Sequence, residues 1–263
     1  MTIAASNVLE AHAAALRDAE LARSPIQPLT DEDPGLTIAD AYAIQDVNIR
    51  QRLAEGCILR GRKIGLTSRA MQTLLGVDEP DFGALLDDMF ADDGALIPVD
   101  ALIQPKAEAE IAFVLARDLA GPGVTTIDAL RAIEAAIAAI EVVDSRIRDW
   151  QITIADTIAD NASSGRVVLG TRLVPVHDID LQLVGMGIWH NGALEDSGAG
   201  VAALGHPARC VAWLANTLGA FGSGLSAGDV VMSGALHRAF DVVRGDTVKA
   251  EFDRLGSVSV RFG

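Results

Sequence analysis

The chain is short of positive charge and of long apolar runs, and each shortage removes a class of partner. Lysine and arginine together number 21, against 36 aspartates and glutamates, so the formal net charge is -15. A surface this acidic repels a phosphate backbone, which predicts no nucleic-acid partner. No uninterrupted apolar run reaches the ~18 residues of a membrane-spanning helix. We therefore expect no membrane partner either.

Cysteine is also scarce, with only Cys57 and Cys210 in the chain. Neither residue belongs to a C-x-x-C pair or lies near a ligand-like histidine, so both are interpreted as reduced packing thiols rather than as disulfide or metal-binding residues. Residues 1–12 contain neither a basic segment nor a long apolar segment, so no signal peptide is predicted. The expected compartment is the cytoplasm.

Several common catalytic motifs are missing as well. The sequence contains no G-x-S-x-G elbow, no P-loop and no G-x-G-x-x-G fingerprint. Covalent serine catalysis and nucleotide binding therefore have no support from motifs. Half of the 263 residues are hydrophobic, which is enough for one large domain or for a domain with a smaller appendage.

Helical patterns dominate the start of the chain and strand patterns dominate its end. Residues 7–23 and 38–55 have the spacing of amphipathic helices, whereas short strands separated by glycine-rich turns fill the C-terminal part. This order predicts an α+β fold with a mostly antiparallel or mixed sheet roll. We divide the chain into an N-terminal helical portion, 1–57, and a catalytic β-roll domain, 58–263. Shorter helices are predicted over 68–75 and 127–138.

Three glutamates lie inside segments that otherwise have the pattern of buried strands. Glu108 and Glu110 share one face of a predicted strand over 108–116 and lie about 6.6 Å apart along it. Glu141 lies in a second predicted strand, 140–147. A buried carboxylate is costly without a counter-charge, and all-oxygen ligands favour Mg²⁺ or Mn²⁺ over zinc. Considered alone, the E-x-E pair has an alternative interpretation, in which Glu108 and Glu110 lie on a solvent-exposed strand face and bind no metal.

Other candidate residues have weaker signals. Lys63 lies in a predicted strand and is either a surface lysine or an active-site cation. Asp81 lies in a predicted loop, where an aspartate often only caps the next segment. Residues 156–165 form a polar stretch between apolar ones, which predicts a loop that lines a pocket. His237 is a candidate for facing a pocket.

Six segments distributed along the chain have motifs of one known enzyme group. The segments are G-R-K-I-G-L-T (61–67), G-V-D-E-P-D-F-G (76–83), Q-P-K-A-E-A-E-I-A-F-V-L (104–115), E-V-V-D-S-R-I-R-D-W (141–150), D-T-I-A-D-N-A-S-S-G (156–165) and G-A-G-V-A-A-L-G-H-P (198–207). They resemble the 2-keto-4-pentenoate hydratase group, which includes 2-oxohept-4-enedioate hydratase and 4-oxalocrotonate decarboxylase and belongs to the fumarylacetoacetate hydrolase superfamily. The similarity follows the same order over nearly the whole chain.

The resemblance implies a mixed β-roll or barrel-like fold with an N-terminal helical portion, and a Mg²⁺ or Mn²⁺ site. It also implies a homo-oligomer, a pentamer or a decamer, and a possible complex with a pathway enzyme. The residues that match the family motifs are Glu108, Glu110 and Glu141 as metal ligands, Lys63 and Asp81 as catalytic residues, and Ser163, with Lys63, as substrate-binding residues.

Within the group, R-I-R-D-W and D-T-I-A-D-N-A-S-S-G resemble the pentadienoate hydratases. The implied reaction adds water to 2-hydroxypenta-2,4-dienoate, or a close homologue, in the meta-cleavage degradation of aromatic compounds. The alternative is 4-oxalocrotonate decarboxylase, and a non-catalytic scaffold is a third hypothesis. A second carboxylate on the substrate tail would require a cation such as Arg238 or Arg69.

Overall fold

The structure is a computed structural model that describes residues 3–68, 72–73 and 76–263. The predicted helix over 68–75 falls mostly on residues outside these ranges, and so does Arg69. Both cysteines are free, and Cys210 is buried. Among the helices of the described residues, none is long and apolar enough to cross a membrane.

Helices form the N-terminal part of the chain. The Thr37 hydroxyl and the Asp40 carboxylate cap the start of the third helix reciprocally, which satisfies backbone N–H groups at that end. Buried residues of the first and third helices pack against Ile147 and Ile158, which come from the later part of the chain. The division into 1–57 and 58–263 stays a prediction. The α-helices with defined bounds in the described residues are α1 (Ile3–Ala22), α2 (Leu29–Glu32), α3 (Ile38–Ala54), α4 (Thr126–Ala132), α5 (Ile154–Ala159) and α6 (Pro207–Ala220).

Strands are the predominant regular structure in the rest of the chain, and within the described residues they make one nine-stranded and one five-stranded sheet. The strands are β1 (Leu59–Gly65), β2 (Asp81–Leu86), β3 (Phe90–Asp92), β4 (Leu96–Ile97), β5 (Lys106–Leu115), β6 (Ile133–Val143), β7 (Ser164–Leu169), β8 (Val174–Pro175), β9 (Gly185–His190), β10 (Ala193–Ala199), β11 (Val230–Met232), β12 (Phe240–Asp241), β13 (Thr247–Phe252) and β14 (Gly256–Phe262).

The larger sheet has the order β2-β1-β11-β5-β6-β7-β3, with β12 beside β5 and β8 beside β6. The smaller sheet has the order β10-β9-β13-β14-β4. Parallel pairs, such as β1 with β11, occur among antiparallel ones, such as β5 with β6. The prediction of an α+β fold with a mixed sheet and an N-terminal helical portion is confirmed. Strands β5 and β6 lie at the centre of the larger sheet, where both faces are covered.

The helix predicted over 127–138 is too long. Helix α4 ends at Ala132, and β6 begins at Ile133. The alanines of Ile133–Ala138 favour a helix locally, but this stretch pairs with β5 from Leu115 to Ile111. Backbone pairing with a buried central strand overrides the local propensity. The predicted strand over 140–147 is therefore wrong in its bounds, although it contains Glu141 as expected.

Two expected loops are regular structure instead. Asp81 is the first residue of β2, not a loop residue, because its segment pairs with β1 in the register Gly65 to Asp81. The stretch 156–165 contains the end of α5, whose start is capped by Thr153 and Asp156. A 3₁₀ turn over Asn161–Ser163 follows. Some of its polar residues serve these short elements, because Asp156 caps α5 and Asn161 and Ser163 form the turn.

A buried ion pair anchors the turn that follows α5. The guanidinium of Arg146 contacts the carboxylate of Asp160, and the two side chains are 7% and 1% exposed. Arg146 also donates hydrogen bonds to the carbonyl oxygens of Asp144 and Ser164, at 2.6 and 2.8 Å. The second carboxylate oxygen of Asp160 accepts from the Ser145 hydroxyl at 3.1 Å. Both charges are thus paired and hydrogen-bonded, as buried charges must be.

We expect Asp160→Asn to lower the free energy of unfolding by about 3–5 kcal/mol, because it leaves the Arg146 guanidinium buried without a counter-charge. Urea unfolding of the metal-free protein measures the change. The control is Asp46→Asn, which removes an exposed pair with Arg50 on α3 and should change the free energy of unfolding little. Equal losses in the two variants would contradict this account of the buried pair.

Candidate active site

Strands β5 and β6 bring the three predicted glutamates together. The two strands pair antiparallel, and Glu108 lies directly opposite Glu141 in the register. Glu110 lies two residues further along β5 and points to the same face as Glu108. One carboxylate oxygen from each of the three side chains lies within 4.8 Å of the other two. Glu110 and Glu141 are buried, and Glu108 is half-buried.

Lys63 reaches the same cluster from two strands away. Strand β11 separates β1 from β5, and Lys63 lies beside Met232 in the parallel β1–β11 pair. The Lys63 ammonium lies 3.4 Å from Oε1 of Glu141 and donates a hydrogen bond of 2.9 Å to the carbonyl oxygen of Ala162. Its side chain is only 5% exposed. A lysine buried to this extent requires these partners.

Asp81 joins the cluster from β2. It pairs in register with Gly65, and a Cβ atom at Gly65 would collide with Oδ1 of Asp81. Glycine at position 65 therefore leaves the space that the Asp81 carboxylate fills. Asp81 is buried, and no described residue donates a hydrogen bond to its Oδ1.

Burial raises the pKa of each carboxyl group in the cluster, and neighbouring negative charges add to the effect at the three glutamates. The pKa of Glu108 rises to about 7, through burial and the nearby charge of Glu141. Burial and the charges of Glu141 and Glu108 raise the pKa of Glu110 well above its ordinary value. Burial acts to lower the pKa of Lys63, but Glu141 and Asp81 outweigh it and the net pKa is raised. One ammonium therefore faces more negative charge than it balances.

The chemistry of the cluster fits a divalent cation. Among the described residues, none donates a hydrogen bond to either oxygen of the fully buried Glu141, although Lys63 lies at ion-pair distance. Such unpaired buried oxygens need a partner. All three groups offer oxygen ligands, which Mg²⁺ and Mn²⁺ prefer. Glu108, Glu110 and Glu141 therefore form a suitable ligand set.

A second group of potential ligands consists of Cys57, Asp87 and Asp88. It differs from the glutamate cluster because it already has a cation. The Arg52 guanidinium pairs with Asp88 and donates to the Cys57 sulfur at 3.4 Å. Its aspartates are exposed, so they are hydrated without a metal ion. We therefore place no site there.

A cavity of about 370 Å³ opens over the glutamate cluster. A larger depression of about 560 Å³ near Arg172 and Arg254 shares no lining residue with it and contains none of the predicted site residues. The predicted residues that line the cavity over the cluster are Lys63, Asp81, Glu108, Glu110, Ser163, His237 and Arg238.

His237 lines this cavity, but both of its ring nitrogens bind the backbone. Nε2 accepts a hydrogen bond of 2.8 Å from the amide of Ala109, which lies between Glu108 and Glu110. Nδ1 lies 2.7 Å from the carbonyl oxygen of Arg238, to which it donates. Burial lowers the pKa of the ring. His237 is therefore a neutral ring that supports the glutamate strand and has no free nitrogen for proton transfer.

Sequence reasoning missed Trp150, which lines the cavity. Asp149 and Trp150 both have φ of 55°, which is the left-handed region. Residues other than glycine seldom adopt this conformation, so the sequence does not predict it. The indole Nε1 donates to the carbonyl oxygen of Gln104 at 3.1 Å, and the Lys106 ammonium lies 5.4 Å from the ring centroid. The Lys106 ammonium also pairs with Asp241 at 2.5 Å.

Thr157 was missed individually, although it lies in the polar stretch that was expected to line a pocket. Its hydroxyl lies 3.5 Å from the hydroxyl of Ser163, and Thr157 lines the same cavity as Asp81 and acts to lower the pKa of that carboxyl group against the larger effect of burial. Ser163 itself is buried within the 3₁₀ turn. The two hydroxyls and Asp81 thus form one polar corner of the cavity.

Comparison with known proteins gives the same family that the motifs indicated. Residues 65–262 match the family model described as fumarylacetoacetate (FAA) hydrolase C-terminal. A 2-keto-4-pentenoate hydratase of Paraburkholderia xenovorans (strain LB400) is 46% identical over 253 residues, which are 96% of this chain and 94% of that protein. A 2-hydroxyhexa-2,4-dienoate hydratase of Comamonas testosteroni is 47% identical over 239 residues, 90% of each chain.

A solved structure gives the same result for the fold. The 4-oxalocrotonate decarboxylase of Pseudomonas putida G7, complexed with magnesium and adipate, superposes with a TM-score of 0.94 over 98% of each chain, at 39% identity. The resemblance drawn from the six segments is confirmed, and so is the β-roll predicted from it. The chain belongs to the fumarylacetoacetate hydrolase family.

Proposed function

We propose that this chain is a metal-dependent hydratase that adds water to 2-hydroxypenta-2,4-dienoate, or a close homologue, to give 4-hydroxy-2-oxopentanoate. The reaction belongs to the meta-cleavage degradation of aromatic compounds. The observation that carries the proposal is the cluster of three glutamates and Lys63 under one cavity, in a chain 46% identical to a 2-keto-4-pentenoate hydratase over nearly its full length.

Glu108, Glu110 and Glu141 are the proposed ligands of a Mg²⁺ or Mn²⁺ ion. When bound, the ion supplies a Lewis acid for the carboxylate and C2 oxygens of a 2-oxo acid. The solved relative from Pseudomonas putida G7 is complexed with magnesium, which supports this choice of metal. The positive charge also compensates the buried carboxylates that Lys63 alone does not balance.

We propose one orientation of the substrate in the cavity. Lys106 lies opposite Val143, next to the Glu108–Glu141 pair and about 6.6 Å from it along the strands. With its carboxylate end at Lys63 and the glutamates, a five-carbon chain directs its tail towards Val143 and Trp150. These apolar side chains suit a short hydrocarbon tail.

The residues around the cavity suit the proton transfers that hydration requires. Lys63 holds the carboxylate or enolate oxygen and stabilises its negative charge. The dienol first gains a proton at C5 and loses one from its 2-hydroxyl, which forms the conjugated ketone. Water then adds its oxygen at C4 and a proton at C3. Asp81 transfers the proton or orients the water, and Ser163 binds a substrate oxygen.

Decarboxylation of 4-oxalocrotonate is the second candidate function. It is favoured by the superposition on a 4-oxalocrotonate decarboxylase over 98% of both chains. Loss of CO₂ also places negative charge on the C2 oxygen, so the same glutamates and Lys63 would serve it. Its substrate has a second carboxylate, for which the exposed Arg238 in the cavity lining is a candidate cation.

The proposal includes assembly of several copies of this chain, and a pentamer or a decamer stays the prediction. Sedimentation velocity measures the mass, and a monomer at micromolar concentration would contradict it. A complex with another pathway enzyme is a further prediction of the resemblance. Large apolar side chains that are exposed in the single chain, and so available for such contacts, are Leu21, Leu183, Leu194, Phe221 and Val243.

The direct test of function offers both substrates to the purified chain, with Mg²⁺ or with Mn²⁺. We expect loss of the diene absorbance of 2-hydroxypenta-2,4-dienoate and formation of 4-hydroxy-2-oxopentanoate, with little CO₂ released from 4-oxalocrotonate. Protein treated with a chelator is the control and should be inactive until metal is restored. Faster CO₂ release than hydration would instead assign the decarboxylase, and no turnover of either substrate would contradict both.

Glu108→Gln tests the ligand set. Glutamine has the same shape but no charge, so we expect Mn²⁺ affinity to fall by at least about 100-fold, more than the loss typical of residues outside the ligand set. Electron paramagnetic resonance of free Mn²⁺ measures the affinity. The thermal midpoint of the metal-free variant should not fall, because one of the crowded buried carboxylates has lost its charge.

The matched control for this variant is Glu134→Gln. Glu134 lies on β6, as Glu141 does, but its side chain is exposed. This control should bind Mn²⁺ like the unmodified protein. A Glu108→Gln protein that keeps its Mn²⁺ affinity would overturn the proposed ligand set.

A further inference from the structure

The turn between α5 and β7 has an unusual backbone. Asn161, Ala162 and Ser163 have φ of 52°, 50° and 53°, so three consecutive residues other than glycine occupy the left-handed region. Asparagine tolerates this region better than most residues, but alanine and serine do not. The surroundings must therefore hold the turn in this conformation.

The turn delivers two groups to the cavity. The carbonyl oxygen of Ala162 accepts the 2.9 Å hydrogen bond from the Lys63 ammonium. The next residue, Ser163, is buried with its hydroxyl beside that of Thr157. A relaxed backbone at position 162 would turn the carbonyl group in another direction, and Lys63 would lose this acceptor.

The side chain of Asn161 fastens the turn to β2. Its Oδ1 accepts a hydrogen bond of 2.7 Å from the amide of Ala84, and its Nδ2 donates one of 2.9 Å to the Ala84 carbonyl oxygen. The asparagine thus satisfies both backbone groups of one strand residue. At the neighbouring Gly83, a Cβ atom would collide with the carbonyl oxygen of Asn161. The turn and the strand therefore approach too closely for any side chain at that position.

The Arg146–Asp160 pair fixes the two ends of this segment rather than its middle. Arg146 donates to the carbonyl oxygens of Asp160 and Ser164, which flank the three left-handed residues. Between these anchors, Asn161 supplies the side-chain contacts that tie the turn to β2.

We propose that Asn161 is a positioning residue, which holds the Ala162 carbonyl oxygen against the Lys63 ammonium and so orients Lys63 towards the substrate. The kinetic part of this inference rests on the role given to Lys63 in the proposed function. Asn161 itself acts through the backbone and does not line the cavity.

Asn216 provides a matched control for the purely structural effect. It lies on α6, away from the cavity lining, and makes the same two bonds to a backbone residue. Its Oδ1 accepts from the Val124 amide and its Nδ2 donates to the Val124 carbonyl oxygen, both at 2.9 Å. Both asparagines are half-buried. Alanine at either position therefore removes an equivalent pair of hydrogen bonds.

The test compares Asn161→Ala with Asn216→Ala in the full chain with Mn²⁺. Both variants should have a lower thermal midpoint. Only Asn161→Ala should lower kcat, by about 10- to 100-fold, as expected for a misplaced catalytic group. Its Mn²⁺ affinity, measured by electron paramagnetic resonance, should stay that of the unmodified protein, because the three glutamates are unchanged. Equal kcat in the two variants would overturn the proposal.

Crystal structures of the two variants supply a readout that does not depend on turnover. In Asn161→Ala the Ala162 carbonyl oxygen should leave hydrogen-bond distance of Lys63, and in Asn216→Ala it should remain there. A retained bond in Asn161→Ala overturns the positioning role, even if the unmodified protein proves to catalyse another reaction. If the unmodified protein does not hydrate the substrate but Asn161→Ala loses the bond between Lys63 and the Ala162 carbonyl oxygen, only the proposed function is rejected.

Discussion

Crowding of buried negative charge in the middle of the sheet is the constraint on which this structure depends. Glu110, Glu141 and Asp81 are almost completely buried, and Glu108 lies beside them. Among the described residues, the ammonium group of Lys63 lies at ion-pair distance from Glu141, 3.4 Å from its Oε1. Carboxylates in such a place raise one another's pKa and destabilise the fold unless positive charge compensates them. The proposed divalent ion would supply that charge, and it would provide the affinity for a 2-oxo acid.

The fold meets this constraint with backbone groups rather than with further cations. The amide of Gly234 donates a hydrogen bond to Glu110 at 2.8 Å. The ring of His237 accepts one from the amide of Ala109, the residue between Glu108 and Glu110. On the other side, the turn after α5 offers the Ala162 carbonyl oxygen to Lys63. Strand and turn thus hold the charged groups in place beneath the cavity that Glu108 and Glu110 line.

The sequence predicted which charged residues come together better than it predicted the structure around them. Alternation along β5 placed Glu108 and Glu110 on one face, and the buried pattern around Glu141 predicted the partner strand. Asp81 was misplaced in a loop, because its strand exists only through pairing with β1. The start of β6 was predicted as helix for the same reason. The positions of the Trp150 and Asn161 side chains depend on a left-handed backbone conformation that tertiary contacts impose. No local sequence pattern predicts that conformation.

The central claim is that one divalent ion is shared by three side chains from two neighbouring strands. Anomalous diffraction at the manganese edge, from crystals grown with Mn²⁺, tests it most directly. The account predicts a single strong peak that is coordinated by one oxygen from each of Glu108, Glu110 and Glu141, within reach of the cavity. A peak elsewhere, or one bound by only one of these glutamates, would contradict it.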